Sequence, residues 1–255
     1  MTQLLSHLNN YLGFLFILIF LGLIIFFVFY EKIRLNITLR SIQAFSRFRR
    51  EVDLAVEAGK RLHISLGRGT IHDMQGGAGF MGITILDHCA RAASNSDRPP
   101  VATSGDGVVT ILSQDTLQST YHSLATEQRY DPTNARLTGL TPLSFAAGTM
   151  PIIHDEQVSA NILAGHFGIE LALLTEAGER SHSMTAVGSD SLPAQAVMYA
   201  TSDEPLLGEE LFAAGAYLGD ETVHTSSLYT QDILRWVIVV IIVIGAILKL
   251  LGILA

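Results

Sequence analysis

The sequence predicts an α/β domain inserted between two transmembrane helices. Three observations lead there. An uncharged apolar run fills residues 11–30, and a second apolar run fills 233–254. Between them, short apolar runs ending in glycine alternate with segments of helical periodicity, the pattern of a largely parallel sheet.

Residues 11–30 (YLGFLFILIFLGLIIFFVFY) would span about 30 Å as a helix, the thickness of a bilayer's hydrocarbon core. Met1 to Asn10 holds no Lys or Arg, and no small-residue cleavage site follows the run, so it reads as an anchor and not a signal peptide. Six basic residues follow by position 50: Lys32, Arg34, Arg40, Arg47, Arg49 and Arg50. Basic flanks stay cytoplasmic, which puts residues 1–10 outside and the main domain in the cytoplasm. The basic collar suits anionic lipid headgroups.

From residue 31 to 60 apolar positions recur at helical steps (Leu35, Leu39, Ile42, Phe45, Phe48, Val52, Val56), predicting a basic amphipathic connector helix. The same pattern fits a stalk, a helix lying on the bilayer, or one packed on the domain or on a neighbouring copy.

The domain is expected over 61–222. Leu62 to Leu66 is a strand ended by Gly67-Arg68-Gly69, and a glycine-rich loop runs to Gly82, overlapping a helix from about Gly79 to Ala93. Val101 to Ser104 is a strand, Val108 to Leu112 a further apolar run, and Gln114-Asp115 an N-cap for a helix to Glu127. Asp131-Pro132-Thr133-Asn134 is a turn, and Thr141-Pro142 opens a helix. Strands follow at 161–165 and 185–187, with a helix at 167–177 between them. An apolar run occupies 196–200, and Ser202-Asp203-Glu204-Pro205 caps a last helix. ITILDHCARAA at 83–93 aligns with IELALLTEAGE at 169–179, and VATSGD at 101–106 with TAVGSD at 185–190. The near-constant spacing suggests an internally duplicated β-α-β-β-α unit, with halves at about 62–128 and 159–218. Trp236 to Leu248 is uncharged between Arg235 and Lys249. With its apolar flanks it gives a second span over 233–254, anchored at the interfaces by Trp236, Arg235 and Lys249. The topology is then multi-pass in the cell membrane, with both termini outside.

Charge narrows the partners. The net charge of −8 conceals 23 acidic residues against 8 Lys and Arg over 51–232. An acidic domain on a basic collar argues against nucleic acid. One cysteine, Cys89, excludes an internal disulfide and a Cys-based zinc cage.

Candidate chemistry gathers at the strand ends. Gly67, Arg68, Gly69, Gly76, Gly77 and Gly79 lie between a strand and a helix, where backbone N–H groups can approach an anion such as a nucleotide phosphate. The loop matches neither GxGxxG nor GxxxxGK[ST], and the same glycines suit turns, close packing or a subunit contact. Asp106 and Asp190 end two strands, where ligand crevices form in α/β sheets; cap and turn duty is the other reading. Nine histidines include His72-Asp73, His154-Asp155-Glu156 and His166 near Glu170, but none forms an HExxH pair, and no metal or cofactor is expected. No GxSxG or other complete catalytic motif is present.

LHISLGRG, SQDTLQSTY, VGSDSLPAQ and SDEPLLGEEL, in that order over about residues 60–220, resemble a family of uncharacterised prokaryotic membrane proteins carrying a cytoplasmic domain of unknown function. The resemblance implies a membrane-tethered domain and supplies no activity. The sequence therefore leads to a membrane-anchored scaffold subunit of a homo-oligomeric assembly, with anionic lipids and other membrane-complex subunits as further partners. A membrane-tethered sensor or enzyme domain binding a nucleotide or other anion is the alternative.

Overall fold

The structure, a computed structural model, describes residues 2–34, 40–72, 76–94, 96–219 and 222–250. The chain divides into two compact units, Met1–Leu39 with Asp220–Ala255, and Arg40–Gly219.

The first unit holds helices α1 (Thr2–Arg34) and α9 (Thr222–Leu250). They pack antiparallel: the Phe27 and Tyr229 rings lie 6.4 Å apart, while Phe16 and Phe20 share a groove with Ile238 and Val239. Among the described residues only Val223–Leu250 is long and apolar enough to cross a membrane; Gly13–Phe29 is a shorter apolar helix. One expected span therefore matches a helix of sufficient length and the other falls short of it.

The second unit is a six-stranded parallel sheet. Its strands are β1 (Arg61–Gly67), β2 (Val101–Ser104), β3 (Ala135–Leu137), β4 (Val158–His166), β5 (Met184–Ser189) and β6 (Glu204–Leu206), in spatial order β3-β2-β1-β4-β5-β6. Helices α3 (Gly76–Ala92), α4 (Gly107–Ser123), α5 (Pro142–Asp155), α6 (Leu171–Arg180) and α7 (Leu192–Thr201) connect successive strands. A doubly wound sheet results, the order of strand addition reversing between β1 and β4.

Side-chain alternation divides the core between the two faces. Leu62, Ile64 and Leu66 of β1 and Ala160, Ile162 and Ala164 of β4 pack with α3, α4 and the flanking helices α2 (Gln43–Glu57) and α8 (Ala214–Leu218). Leu163 and Val187 face the other way, into Phe145, Phe167, Leu171 and Met198 of the α5–α7 layer. The amphipathic pattern of α2 is satisfied within the domain: Ala44, Phe45, Phe48, Val52 and Ala55 are buried against it. Residues 35–39 of the expected connector lie outside the described residues.

Three expected elements are corrected. Val108 to Leu112 is not a separate run with a helix capped at Gln114-Asp115; one helix covers Gly107–Ser123. Its cap is Asp106, whose Oδ1 accepts from the amides of Val108 and Val109 at 2.9 and 3.0 Å, and a satisfied N-cap outweighs the β preference of Val-Val. Residues 196–200 lie inside α7, which Pro193 opens from its first turn. Glu204 to Leu206 caps no helix. It forms edge strand β6, the one place in a sheet that tolerates Pro205. The halves accordingly read β-α-β-α-β, not β-α-β-β-α.

The domain begins and ends at one place. Tyr217 Oη donates to the carbonyl of Arg40, and Arg40 Nη2 meets Glu210 Oε1 at 2.9 Å. Phe45 and Tyr217 stack with ring centroids 4.9 Å apart.

Beneath α5 and α6 the sheet is polar at one point. His63, fully buried, has Nδ1 at 2.7 Å from Asn161 Oδ1 and Nε2 at 2.9 Å from Thr103 Oγ1. Burial lowers its pKa to about 4 against the opposing hydrogen bond from Asn161, so the ring is neutral at pH 7 and donates from Nδ1 to Asn161 Oδ1. The unfolded chain takes up this proton near pH 6.5 and the folded one only near pH 4. His63 therefore contributes full stability above pH 6.5, and that contribution is lost as pH falls towards 4. Denaturation at pH 7 and pH 4.5 should show a loss of about 2–3 kcal/mol from this group. His63→Gln should flatten the dependence in that window.

Candidate functional site

In an open α/β sheet, ligands bind outside the carboxyl ends of the strands where chain order reverses. Here that point lies between Gly67 and His166, paired at the ends of β1 and β4. The backbones meet closely: Arg68 N donates to His166 O and Gly105 N to Gly67 O, both at 2.8 Å. Gly67 has φ +71°, and a side chain there would strike the His166 carbonyl; one at Gly165 would strike the Leu66 carbonyl.

The positive side chain at this point is already occupied. Arg68 Nε donates to Glu170 Oε1 at 2.9 Å, and Gly168 N donates to the same oxygen at 2.9 Å. The Glu170 side chain is 2 % exposed. Burial alone would raise its pKa, but the Gly168 amide and the Arg68 guanidinium together outweigh that and hold the carboxyl below its ordinary value. An internal carboxylate thus takes the charge that an anionic ligand would have used. Sequence reasoning weighed Glu170 only as a metal ligand; its distance of 102 residues from Arg68 left no local signal of the pair.

The two expected aspartates are likewise paired. Asp106 caps α4. Asp190 Oδ1 lies 2.8 Å from Nδ1 of His166. Ser189 Oγ accepts from the amides of Phe167 and Ser191, at 3.2 and 3.3 Å. Gly76, Gly77 and Gly79 belong to the first turns of α3. A side chain at Gly76 would press on the Ile71 carbonyl and one at Gly77 would touch Phe212, whereas Gly79 faces open space and Gly69 lies just past β1. Asp73 lies outside the described residues, and no cluster of metal-ligating side chains occurs among those described. Cys89 is a buried core residue whose thiol is pushed up by burial, away from reactivity.

Of the residues expected at a membrane interface, Arg47 pairs with Glu204, Arg49 donates to the Tyr217 carbonyl and Arg40 meets Glu210. Arg50 lines a polar cleft of about 930 Å³ at the amino ends of β5 and β6, shared with Glu51, Glu176, Glu179 and Asp203. Lys249 is exposed in the last turn of α9, Trp236 is exposed, and Arg235 lies 3.6 Å from Asp232. The side chains of Lys32 and Arg34 lie outside the described residues.

The carboxyl edge exposes large aliphatic side chains beside Thr141 and Ser144. Leu137 ends β3, Leu140 precedes α5, Leu143 stands in the first turn of that helix, Ile169 precedes α6 and Leu192 begins α7. Leu143 and Ile169 are each 72 % exposed and Leu192 77 %. The carboxyl edge therefore has its polar groups paired internally and large aliphatic groups turned outward.

The family model described as a domain of unknown function (DUF6754) matches residues 2–255. The chain belongs to that family. The match takes in both terminal apolar helices as well as the domain, more than the 60–220 that the resemblance covers. Comparison with curated proteins and with solved structures finds no match.

Arg68→Ala would leave Glu170 buried with backbone amides as its remaining donors. Removing one partner of such a pair typically costs about 3 kcal/mol. Thermal unfolding should show that loss, and Arg68→Met combined with Glu170→Gln should recover much of it.

Proposed function

We propose that this protein is a membrane-anchored scaffold subunit of a homo-oligomeric assembly, its α/β domain associating with other copies through the carboxyl edge of the sheet. The apolar carboxyl edge carries the reading: Leu140, Leu143, Ile169 and Leu192 expose aliphatic surface on the side where a doubly wound enzyme would hold its ligand. Charge supports it as well. Residues 40–219 contain 20 acidic and 12 basic residues, so like-charged copies approach most easily through an edge whose charged groups are engaged internally.

In this reading α1 and α9 are two spans of the cell membrane. Both termini lie outside, the domain is cytoplasmic, and Lys32 and Arg34 contact anionic headgroups. Mass photometry of the protein in mild detergent should give multiples of the 27.7 kDa chain. Leu143→Glu with Leu192→Glu should shift the population to monomers while leaving the circular dichroism of the folded chain unchanged, because both side chains stand outside the core of the single chain. A wild-type monomer at cellular concentration would remove the proposal.

The second reading, a nucleotide or other anion bound at the β1–β4 reversal, draws on the strand order and on the glycines that open α3. It requires the ligand to displace Glu170 from Arg68. A nucleotide panel that raises the melting temperature of the wild type and of Leu143→Glu, but not of Arg68→Ala, would favour it.

A further inference from the structure

We propose that the His166–Asp190 pair links self-association to proton uptake: a second copy seated on the carboxyl edge holds the pair with its imidazole protonated, so assembly tightens as pH falls. This rests on the reading that copies meet through that edge.

The pair stands where such a contact closes. His166 ends β4 and Asp190 follows β5, the strand beside it. Nδ1 of His166 lies 2.8 Å from Asp190 Oδ1, and the two side chains are 21 % and 20 % exposed in the single chain. Ile169 comes three residues after His166 and Leu192 two after Asp190, both turned to solvent. A copy resting on those aliphatic groups shuts water away from the pair.

Charge then decides the protonation state. With a neutral imidazole the pair is a carboxylate held by one N–H, and taking that net charge out of water is costly. With the imidazole protonated it is an ion pair of no net charge. The other ionisable groups of this edge are held elsewhere. Arg68 donates to buried Glu170, Asp106 accepts from two amides, and Glu210, next to Glu209 beyond β6, meets Arg40. Neither α7 nor the first turn of α5 carries an acid, Lys, Arg or His. His72 is exposed beyond β1, and Asp73 lies outside the described residues. Contact formation therefore takes up a proton wherever the imidazole of the free chain is neutral.

Mass photometry of the full-length protein in mild detergent, over a dilution series at pH 6, 7 and 8, tests this, with circular dichroism at each pH as the control on folding. Wild-type assemblies should persist to roughly tenfold lower concentration at pH 6 than at pH 8, from uptake of about one proton per contact. His166→Asn, with His166→Gln as a second variant, should flatten the profile and weaken assembly at pH 6. Asp190→Asn should reverse it, because a protonated imidazole beside a neutral amide carries a lone charge into the contact. That reversal separates the pair from general repulsion between acidic copies, which protonation of any histidine relieves in one direction. His72→Asn should keep the wild-type profile. A wild-type profile independent of pH, one that survives His166→Asn, or an Asp190→Asn profile of wild-type sign overturns the proton link and leaves the self-association reading standing. Monomers at every pH and concentration overturn that reading and the proton link with it.

Discussion

The pairing of β1 with β4 is the constraint on which the domain depends. It joins two halves that each run outward from the centre, and its register runs from Arg61↔Val158 to Gly67↔His166, the full length of both strands. Its carboxyl end closes only because Gly67 and Gly165 stand where any side chain would meet a backbone carbonyl of the facing strand. Gly82 extends the same constraint to the helix layer, where a side chain would strike the Ala164 carbonyl and Leu66. Gly67 and Gly82 of the glycine-rich stretch thus serve the approach of backbone to backbone and of helix to sheet.

That closeness explains the character of the carboxyl edge. Once the strand ends are drawn together, the polar groups there find one another: Arg68 with Glu170, His166 with Asp190, Ser189 with two amides. These pairs hold the loops, and large aliphatic side chains stand exposed beside them.

The sequence made much of this legible where patterns were long or punctuated. The strands ending in Gly67 and Ser104, the helix opened by Thr141-Pro142 and the parallel sheet follow from apolar runs bounded by glycine or proline. Spatial order was not legible, because β3 and β6 are three residues each and too short to show alternation. The Val-Val-Thr-Ile stretch misled because β-branched residues suggest a strand, whereas the deciding residue was Asp106 just before it. The Arg68–Glu170 pair escaped for a different reason. Its members belong to separate halves, and the fold alone brings them together.

The clasp of Arg40 with Tyr217 and Glu210 has a mechanical consequence. A folded unit whose two chain ends are pinned side by side does not lie in series with the segments attached to it. Tension pulling those segments apart would load the clasp as a zipper, one bond after another, beginning with the Tyr217 hydroxyl on the Arg40 carbonyl and the Arg40–Glu210 pair. The strands would bear no load until the stacked rings of Phe45 and Tyr217 had parted. Such a joint yields at low force and reseals readily, leaving the sheet intact through each cycle.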